Sequence, residues 1–477
     1  MNTPLVVDLD GTLILTDLLV ETANAHVTGK PGATLALLGW WRRGRDQLKL
    51  ELARSTAIDV AALPFNEPLL SWLRQQKSAG RTLILATASA APLAQQVAEF
   101  LAPLFDEVLA THAGVNLKAH AKAQTLVARF GSGNFDYVGN HRDDLPIWAH
   151  ARQAHVVTHS QGLLARVRQI ARIGEVFEPV RTSLWRVWAK ALRLHQWVKN
   201  LLVSVPLLTA HAYTQPGALH AVVLAFAAFS LTASAVYLLN DLVDVQDDRH
   251  HHRKRHRPFA SGQLSLLAGW AAWPVLLGLA FTLASLLPQA FVWVLLCYFL
   301  LTLAYSFVLK EMAIWDVLVL ALLYTLRIIA GSAAVDVPLS FWLLLFSMFL
   351  FLSLALIKRF SELFLARQRG QTETLRGRGY QPDDLELVSS LGASSGLMSI
   401  LVLGLYIQDG RTAALYPAPQ MLWLACPALL IWLMRAWLIA HRGAMHDDPI
   451  VFALKDRTSW LILLFIMAAF SLGRYGG

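Results

Sequence analysis

The sequence predicts an α/β doubly wound domain with a helical cap, followed by an all-α bundle of nine transmembrane helices. Three observations support this fold class. Short apolar runs alternate with amphipathic stretches up to about residue 180, the pattern of a parallel sheet covered by helices. From residue 197 onward, apolar stretches approach the ~20 residues that a helix needs to cross a bilayer. Charged residues make up only 15% of the 477 residues, against about 25% in soluble domains.

The composition narrows the class of protein further. The mean hydropathy is +0.47, and the chain contains sixteen Trp and twenty-two Phe residues, which excludes a disordered chain, a fibrous chain and an ordinary cytosolic enzyme. The formal net charge of +9 is typical of a protein that meets nucleic acid or a membrane surface. Cys297 and Cys426 both lie in apolar runs, which excludes a disulfide scaffold. Asp8 and Asp10 interrupt the first apolar run, so we expect no signal peptide.

Residues 1–178 are predicted to form the α/β domain. Amphipathic helices such as Pro68–Ser78 and Ala91–Leu101 separate short strands. The predicted strands are Leu5–Val7, Thr82–Ala86, Val108–Ala110, Asp136–Val138 and His155–Val157. About 70 mostly helical residues separate the first two strands, which is too long for one crossover. We therefore expect a helical cap over the carboxyl edge of the sheet.

Residues 197–477 are predicted to form the membrane domain. Residues 179–196 join the two domains and combine Trp185 and Trp188 with basic residues, which favours a helix in the membrane interface over a plain connector helix. The nine predicted spans are Trp197–Leu208, Ala218–Leu239, Ala268–Leu287, Phe291–Val308, Trp315–Ala334, Ser340–Leu356, Val388–Tyr406, Met421–Leu438 and Ser459–Leu472.

The basic residues of the membrane half are distributed unevenly. Lys and Arg cluster in the connections after the second, fourth, sixth and eighth predicted spans, whereas Arg411 and Arg474 lie on the opposite side. The positive-inside rule then predicts a multi-pass protein of the cytoplasmic (inner) membrane, with a cytoplasmic N-terminal domain and the C-terminus outside. Because the basic residues occupy short connections between spans, we expect a membrane partner and no nucleic acid.

An apolar strand runs directly into Asp8-Leu9-Asp10-Gly11-Thr12. A carboxylate at a strand's carboxyl end can attack phosphorus, and a second one two residues later can handle the proton of the leaving group. This motif resembles that of the haloacid dehalogenase superfamily of Mg²⁺-dependent phosphatases. The resemblance implies that Asp8 and Asp10 are catalytic residues and magnesium ligands.

Further residues match that superfamily in chain order. Thr87 stands at the position of the phosphate-binding hydroxyl, and Lys122 at that of the phosphate-neutralising lysine; Lys118 is a weaker candidate. The last motif reads Gly139-Asn140-His141-Arg142-Asp143-Asp144, so that Asp144 fits a magnesium ligand while Asn140 replaces a carboxylate. An amide brings no charge, so we expect weaker metal binding. The sequence leaves open whether the domain is an active phosphatase or a retained scaffold.

The second predicted span ends in a polar stripe. Asn240, Asp244 and Asp248 are spaced four residues apart, with Asp241 three residues before Asp244, so on a helix they share one face. Carboxylates at the end of an apolar span are costly unless they are paired or bound to metal. We predict that all four hold Mg²⁺, with Asp241 and Asp244 as catalytic residues. Nine consecutive basic residues, 249–257, follow. They either set the topology of the protein and contact lipid headgroups, or they bind phosphate through Arg253, Lys254 and Arg257.

The Asn-Asp-x-x-Asp-x-x-x-Asp motif in a nine-span protein resembles the UbiA-type polyprenyltransferases. That superfamily has a second Asp-rich motif after span 6, whereas this chain has Lys358-Arg359-Phe360-Ser361-Glu362. Cations bind phosphate directly, without a second metal. A chain with this departure resembles one branch of the superfamily more closely, the polyprenyl-phosphate (decaprenyl-phosphate) phosphoribosyltransferases. Four further segments carry the same resemblance: RLHQWVKN, RPFASG, YSFVLKEMAIWD and DDPIVFALKDR.

The resemblance to this branch implies the transfer of 5-phosphoribose from phosphoribosyl diphosphate to a polyprenyl phosphate, in cell envelope biosynthesis. The fused domain would then remove the 5-phosphate from the lipid-linked product. Alternatives are a prenyltransferase acting on an aromatic acceptor and a non-catalytic lipid-binding or transport protein. A homo-oligomer stays open. The implied substrate-binding residues of the membrane domain are Lys199, Asn240, Arg253, Lys254, Arg257, Tyr305, Lys310, Arg327, Lys358, Arg359, Glu362 and Lys455. For Arg327, deep in the fifth span, a role facing a cavity is favoured, and a structural ion pair is the competing interpretation.

Overall fold

A computed structural model describes residues 3–29, 32, 34–112, 117–178, 183–370, 378–410, 415–445 and 448–475. Arg411, Asp447 of the DDPIVFALKDR segment, and residues 179–182 of the predicted linker lie outside this described part. The chain divides into two compact units. The first unit is Met1–Leu192 with Tyr237–Trp273, and the second unit is Arg193–Val236 with Pro274–Gly477. The predicted boundaries at residues 178 and 196 stay predictions.

The first unit contains a six-stranded parallel sheet. Its strands are β1 (Leu5–Val7), β2 (Leu83–Ala90), β3 (Glu107–Thr111), β4 (Asp136–Gly139), β5 (Ala154–Val157) and β6 (Ile173–Phe177). The order is β3-β2-β1-β4-β5-β6, which confirms the predicted parallel α/β domain. Because β1 lies between β2 and β4, the carboxyl ends of these three strands meet at one place on the edge of the sheet.

Side chains of the central strand alternate between two apolar cores. Leu5 and Val7 pack on one face of the sheet, whereas Val6 packs on the other face with Tyr137 and Trp148. The helices that cover the two faces are α1 (Leu18–Gly29), α2 (Thr34–Arg42), α3 (Arg45–Ser55), α4 (Glu67–Ser78), α5 (Ala91–Phe100), α6 (His120–Phe130), α7 (Leu145–Trp148) and α8 (Gln161–Ile170).

Helices α1 to α4 form the segment between β1 and β2. Trp41 of α2 and Leu48 of α3 line the same cavity as Asp8 at the end of β1. These helices therefore cover the carboxyl edge of the sheet, as the length of this segment predicted.

The linker and the first predicted span form short helices. Helix α9 (Leu184–Ala191) lies in the linker and leaves Leu184 and Trp185 each 70% exposed. The predicted span Trp197–Leu208 is a 3-10 helix, Leu194–Ser204, followed by α10 (Val205–Thr209). Pro206 cannot donate a backbone hydrogen bond and disfavours a helix before it, which accounts for the break. The predicted count of nine long helices is therefore not confirmed.

Eight helices in the described residues are long and apolar enough to cross a membrane, which indicates a multi-pass membrane protein. The helices of this region are α11 (Ala218–Val243), α12 (Val245–His250), α13 (Leu266–Ala284), α14 (Gln289–Phe307), α15 (Trp315–Val335), α16 (Phe341–Gln368), α17 (Leu385–Gln408), α18 (Ala425–His441), α19 (Pro449–Lys455) and α20 (Arg457–Tyr475). All of them except α12 and α19 belong to candidate spans, and the spans of α17 and α18 begin in the preceding 3-10 turns, at Pro382 and Pro419. Helix α15 is the most enclosed of these, because 72% of its most apolar stretch is buried inside the protein.

Candidate functional site

Asp8 follows β1 directly and is held by two side chains. The Lys122 ammonium on α6 donates to Asp8 Oδ1 at 2.7 Å, and the Thr12 hydroxyl donates to Asp8 Oδ2 at 3.2 Å. Asp8 and Lys122 are both buried. Burial would lower the pKa of Lys122, but Asp8 and Asp144 more than offset this and raise it. Lys122 therefore stays charged beside the predicted nucleophile.

Asp10 is fixed by hydrogen bonds to both of its oxygens. The backbone N–H of Leu18 donates to Oδ1 at 2.8 Å, while the hydroxyls of Ser89 and Thr87 donate to Oδ2 at 2.6 and 3.1 Å. Burial, together with the charges of Asp17 and Asp8, raises the pKa of Asp10 to about 6. Asp10 can therefore hold or release a proton near neutral pH, as proton transfer requires.

Asp144 joins the same cluster through Tyr137. The Tyr137 hydroxyl donates to Asp144 Oδ1 at 2.9 Å, and Lys122 contacts that hydroxyl at 3.2 Å. The backbone N–H groups of Asn140 and His141 donate to Asp144 Oδ2. Burial and the charge of Asp8 raise the pKa of Asp144 to about 6. The turn after β4 thus orients Asp144 toward the end of β1.

Asn140 approaches the turn after Asp8 closely. A Cβ placed on Gly11, where φ is +71°, would lie 2.2 Å from Asn140 Nδ2. Glycine is therefore required at this position for two reasons: it adopts the left-handed backbone conformation without strain, and it leaves room for the Asn140 side chain. The structure brings Asn140 together with the carboxylates that the motif predicted.

These residues form one wall of a cavity of about 760 Å³ in the first unit. The wall carries Asp8, Asp10 and Asp144, and the cavity also contains Lys49 and Lys118. Burial lowers the pKa of Lys49. Burial is the main cause of the raised pKa values of Asp10 and Asp144, and the charge of Asp8 adds to both; a divalent cation would favour the ionised carboxylates. The donor set of carboxylate and amide oxygens fits Mg²⁺.

The polar stripe at the end of α11 is also in the first unit. Arg257 donates to Asp241 Oδ1 at 3.1 Å and to Asp248 Oδ2 at 2.6 Å. Both carboxylates are nearly inaccessible, with 2% and 1% exposure. The helix is interrupted at Asp244, between α11 and α12, yet backbone hydrogen bonds from Asp244 to Asn240 and from Asp248 to Asp244 continue the turn.

The Asp248 carboxylate is incompletely satisfied. Its Oδ1 is buried without a hydrogen-bond partner in the described part of the chain, and the Lys254 ammonium lies 3.7 Å away. Burial raises the pKa of Asp248, although Arg257 opposes this. In the described residues, no three His, Cys, Asp or Glu side chains are grouped so as to hold a metal unaided. One or two carboxylates plus substrate phosphates are enough for Mg²⁺, so the residues fit such a site.

The basic residues after α12 have different environments. Arg253 and Lys254 are exposed, and Arg257 is partly buried on the carboxylates. The Arg249 side chain is only 4% exposed, and its guanidinium donates to both oxygens of Glu21 on α1, at 2.6 and 3.0 Å. The sequence analysis gave Arg249 no such role. This residue links the connection after α11 to the cap.

Cations of the second unit surround one carboxylate. Lys199 Nζ lies 2.8 Å and Lys358 Nζ lies 3.9 Å from Asp448 Oδ2. Burial would raise the pKa of Asp448, but Lys199 and Lys358 more than offset this and hold it below its usual range. Lys199 also lies 5.6 Å from the centre of the Tyr324 ring. Asp448 thus brings together two of the cations that the sequence predicts to bind phosphate.

Arg327 is buried in α15 beside Asn200 and Tyr298. Its Nε donates to Asn200 Oδ1 at 2.8 Å and its Nη2 to the Tyr298 hydroxyl at 3.0 Å. The guanidinium also stacks on the Tyr298 and Tyr324 rings. The hydrogen bonds from Arg327 therefore reach neutral acceptors, and Arg327 forms no ion pair within the described part of the chain, so the competing interpretation of a structural ion pair is wrong.

Arg359 is fully buried and pairs with Asp316 and Glu362. The Tyr380 hydroxyl donates to Asp316 Oδ1 at 2.8 Å. Lys358 is partly exposed, so the two cations of this motif have different surroundings. Phosphate binding by Arg359 stays a prediction.

The remaining predicted residues of the second unit lie near helix ends. Arg378 donates to the Tyr305 hydroxyl at 3.2 Å and contacts the Lys310 carbonyl at 3.4 Å. Lys455 ends α19 and is exposed. Their roles in substrate binding stay predictions.

The sequence analysis assigned no site role to several residues that hold the predicted ones in place. Ser89, Tyr137 and Asp448 all contact candidate site residues. Ser89 follows the predicted Thr87 by two residues, so its position at a strand end was a usable signal. Asp448 lies 249 residues from Lys199, and nothing in one sequence pairs them.

The two halves of the chain match two different families of known proteins. Residues 202–462 match the UbiA prenyltransferase family, and residues 5–148 match haloacid dehalogenase-like hydrolases. The chain belongs to the UbiA prenyltransferase family. Both predicted resemblances are thereby confirmed, and the membrane domain is that of a UbiA-type enzyme.

Three relatives of this UbiA-family chain differ in how much of it they match. Protein y4nM of Sinorhizobium fredii, described as uncharacterized, is 38% identical over 98% of this chain and 90% of its own length. Nodulation protein NoeC of Azorhizobium caulinodans is 37% identical over 58% of this chain and 90% of its own. Decaprenyl-phosphate phosphoribosyltransferase of Mycobacterium tuberculosis is 35% identical over the same shares. The first relative therefore matches nearly the whole chain, and the other two match little more than half.

Proposed function

We propose that the membrane domain transfers 5-phosphoribose from phosphoribosyl diphosphate to a polyprenyl phosphate. The observation that carries this proposal is that Lys199 and Lys358, two of the predicted phosphate-binding cations, lie together at 2.8 and 3.9 Å from the same oxygen of Asp448. Two phosphorylated substrates need more cationic contacts than a prenyl diphosphate with an aromatic acceptor. The relative named decaprenyl-phosphate phosphoribosyltransferase supports the same substrate class.

The proposed reaction exchanges one bond at C1 of the ribose. An oxygen of the polyprenyl phosphate attacks C1, the bond from C1 to the diphosphate oxygen breaks, and diphosphate leaves with the electron pair. The attacking phosphate is already ionised, so a strong general base is unnecessary. Catalysis then depends on positioning and on neutralising the departing charge.

The residues that would hold Mg²⁺ in this domain are Asn240, Asp241, Asp244 and Asp248. A bound Mg²⁺ supplies charge stabilisation to the leaving diphosphate. Asp241 and Asp248 now share the Arg257 guanidinium. Exchange of these contacts would let Arg257 donate to a phosphate oxygen instead. Arg253 and Lys254, exposed in the same connection, would serve as further phosphate contacts.

The transfer is tested with purified protein, Mg²⁺, labelled phosphoribosyl diphosphate and a polyprenyl phosphate. We expect a lipid-linked phosphoribose and its loss in Asp241→Asn. Asp247→Asn, which changes an exposed carboxylate of α12, is the matched control. Reaction of a prenyl diphosphate with an aromatic acid, without any lipid-linked phosphoribose, would identify an aromatic prenyltransferase. If biological function survives Asp244→Ala, a lipid-binding or transport role is favoured.

We propose further that the N-terminal domain is a Mg²⁺-dependent phosphatase that removes the 5-phosphate of the lipid-linked product. The hydrogen bonds that fix Asp8 and Asp10 support this role. Asp8 attacks phosphorus while the P–O bond to the sugar breaks, and Asp10 gives its proton to the leaving oxygen. Water then cleaves the aspartyl phosphate, which releases inorganic phosphate and restores Asp8. Asp8, Asp10, Asn140 and Asp144 would hold the metal, which lowers charge repulsion toward the phosphate.

The mass of the lipid-linked product tests the phosphatase. We expect loss of the 5-phosphate on long incubation and its retention in Asp8→Asn. Asp106→Asn removes the charge that pairs with Lys77 and keeps a side-chain oxygen that can accept from the Leu83 N–H, so it should leave hydrolysis unchanged. A 5-phosphate that persists equally in the unmodified protein and in Asp8→Asn would contradict the phosphatase activity and leave the transferase unaffected.

We also propose that the segment before α11 is a ninth crossing, with the N-terminal domain on the cytoplasmic side of the inner membrane. Trp197 contacts Ser234 and Asn200 contacts Ser230, while Leu207 packs in the cluster that contains Val222, so the segment runs antiparallel to α11. Eleven residues of 3-10 helix rise about 22 Å, and α10 extends this toward the ~30 Å thickness of a bilayer core.

Accessibility of single cysteines tests this topology. A cysteine at Gln215, between α10 and α11, should react only from the periplasmic side, and a cysteine at Arg255 only from the cytoplasmic side. Labelling of both positions from the same side would contradict the ninth crossing.

A further inference from the structure

We propose that the phosphatase cavity faces the membrane and takes a phosphomonoester carried by a membrane lipid. This inference rests on the phosphatase activity proposed above. It adds a surface of the cap that contacts lipid, and it assigns the connection after α11 as part of the substrate-binding wall.

Residues of the membrane half complete the phosphatase cavity. Gly262, Ser265 and Leu266 line the same cavity as Asp8 and Asp10, and all five belong to the first unit. Leu266 is also the first residue of α13, one of the helices long and apolar enough to cross a membrane. The cavity wall is therefore continuous in the chain with a membrane-spanning helix.

Gly262 makes this wall fit closely against the cap. Its φ is +73°, and a Cβ there would lie 2.8 Å from Leu15 Cβ and 2.9 Å from the Leu15 carbonyl oxygen. Leu15 itself lines the cavity. A larger residue at position 262 would have to displace backbone, so the connection and the cap form one packed surface.

Helix α1 of the cap is fixed to the ends of the membrane helices. Glu21 pairs with the buried Arg249. Asn24 donates to the carbonyl of Leu242 at 2.9 Å and accepts from Trp270 Nε1 at 2.8 Å. Leu242 lies in α11 and Trp270 in α13. These contacts fix the orientation of α1 relative to the helix ends where the membrane surface must lie.

Helix α2 carries an apolar face that no other part of the described chain covers. Leu35, Leu38 and Trp41 are 77%, 56% and 60% exposed, and their spacing places them on one side of the helix. Trp41 also lines the phosphatase cavity, while Arg42 and Arg43 are exposed beside it. An apolar helical face flanked by arginines is typical of a helix in the lipid interface.

The lining of the cavity suits a substrate with one charged end and one apolar end. Asp8, Asp10 and Lys122 lie at the sheet edge, whereas Leu19, Val20, Trp41, Leu48 and Leu266 supply apolar surface elsewhere. A volume of about 760 Å³ is within the usual ~300–1,000 Å³ of small-molecule sites. A sugar phosphate fits this volume, and a lipid chain attached to it would continue into the membrane.

The experiment compares two phosphatase substrates with the same headgroup. Full-length protein in nanodiscs receives ribose 1,5-bisphosphate in which the 1-phosphate is esterified. The alcohol of this ester is either a polyprenol in the bilayer or methanol in water, and the 5-phosphate is the group to be removed in both. We expect kcat/KM to be at least about tenfold higher for the lipid ester, because α2 and the wall bind at the membrane surface. Leu35→Asp with Leu38→Asp should remove most of this preference and leave hydrolysis of the methyl ester unchanged. Ile170→Asp, an exposed apolar position on α8, is the matched control.

A second measurement is independent of activity. A fluorophore on Leu38→Cys, in a background with Cys297→Ser and Cys426→Ser, should be quenched by brominated lipids, and one on Ile170→Cys should not. Equal rates for both esters without quenching would overturn the inference while leaving the phosphatase intact.

Hydrolysis of neither ester would refute the phosphatase and with it the lipid-substrate assignment, and quenching would still decide whether α2 contacts lipid. Cross-linking of Leu38→Cys between two copies, without quenching, would overturn lipid contact in favour of a dimer.

Discussion

Asn140 is the residue at which the phosphatase site departs from a full set of carboxylates. An amide ligand contributes an oxygen without charge, so Mg²⁺ binding depends on Asp8, Asp10 and Asp144. We expect Asn140→Asp to lower the Mg²⁺ concentration for half-maximal hydrolysis by about tenfold, measured by phosphate release during magnesium titration. Asn134→Asp, in the turn before β4, is the control and should leave the titration unchanged. A titration unaltered by Asn140→Asp would show that Asn140 is not a ligand.

The Arg257 guanidinium neutralises acidic residues at the end of α11. Without it, the buried carboxylates of Asp241 and Asp248 lose their shared partner, which is destabilising. Arg257→Gln should therefore lower the midpoint of thermal unfolding in chelator and increase the stabilisation gained on adding Mg²⁺. Arg255→Gln, an exposed neighbour in the same basic run, should change neither value. Identical magnesium responses in Arg257→Gln and Arg255→Gln would contradict a metal role for these carboxylates.

At the scale of elements, β5 contains a pH-sensitive residue. Burial lowers the pKa of His155 to about 4, and its Nδ1 accepts from the Glu175 N–H on β6 at 2.9 Å. The unfolded value is about 6.5, so the unfolded state binds more protons between these pH values and stability falls as the pH falls from about 6.5 to about 4. Arg81 and Arg152 hold the pKa of the neighbouring Asp136 below its usual range, so that Asp136 contributes little to this change.

His155→Asn tests this contribution, because the amide oxygen can replace Nδ1 as an acceptor. We expect the thermal unfolding midpoint to fall less between pH 7.0 and pH 5.0 in His155→Asn than in the unmodified protein. His150→Asn, at an exposed position, should keep the original pH dependence. Equal pH dependence in all three proteins would rule out His155 as the titrating group.

The periodicity of the sequence was enough to predict most elements but not their ends. The five predicted strands are all present, because each is a short apolar run beside a helix. Strand β6 was missed because Ile173–Phe177 is a half-buried edge strand without a continuous apolar run. Helix α16 continues to Gln368, twelve residues beyond the predicted Leu356, because its last three turns mix charged with apolar residues and a continuous apolar run therefore ends before them.

At the scale of the whole molecule, the pairing of distant residues could not be predicted. The motifs identified Asp8, Lys122 and Asp241 from their neighbours in the chain. Glu21 and Arg249 are 228 residues apart, and each alone resembles an ordinary charged residue on a helix. Ion pairs of this kind depend on how the chain folds back, which neither hydropathy nor spacing encodes.

The Glu21–Arg249 pair makes the cap and the connection after α11 one cooperative unit. Its side chains are 1% and 4% exposed, so Glu21→Gln leaves a buried guanidinium without its counter-charge, at a cost of about 3 kcal/mol. We expect a lower unfolding midpoint for Glu21→Gln, a partial recovery in Glu21→Gln with Arg249→Met, and weaker phosphatase activity in the single variant because α1 also positions Asp10 through Leu18. Asp59→Asn, which removes the exposed pair with His250, should have little effect. If the effects of Glu21→Gln and Arg249→Met on stability were additive, the two residues would not be coupled, and this pair would not join the cap to the connection after α11.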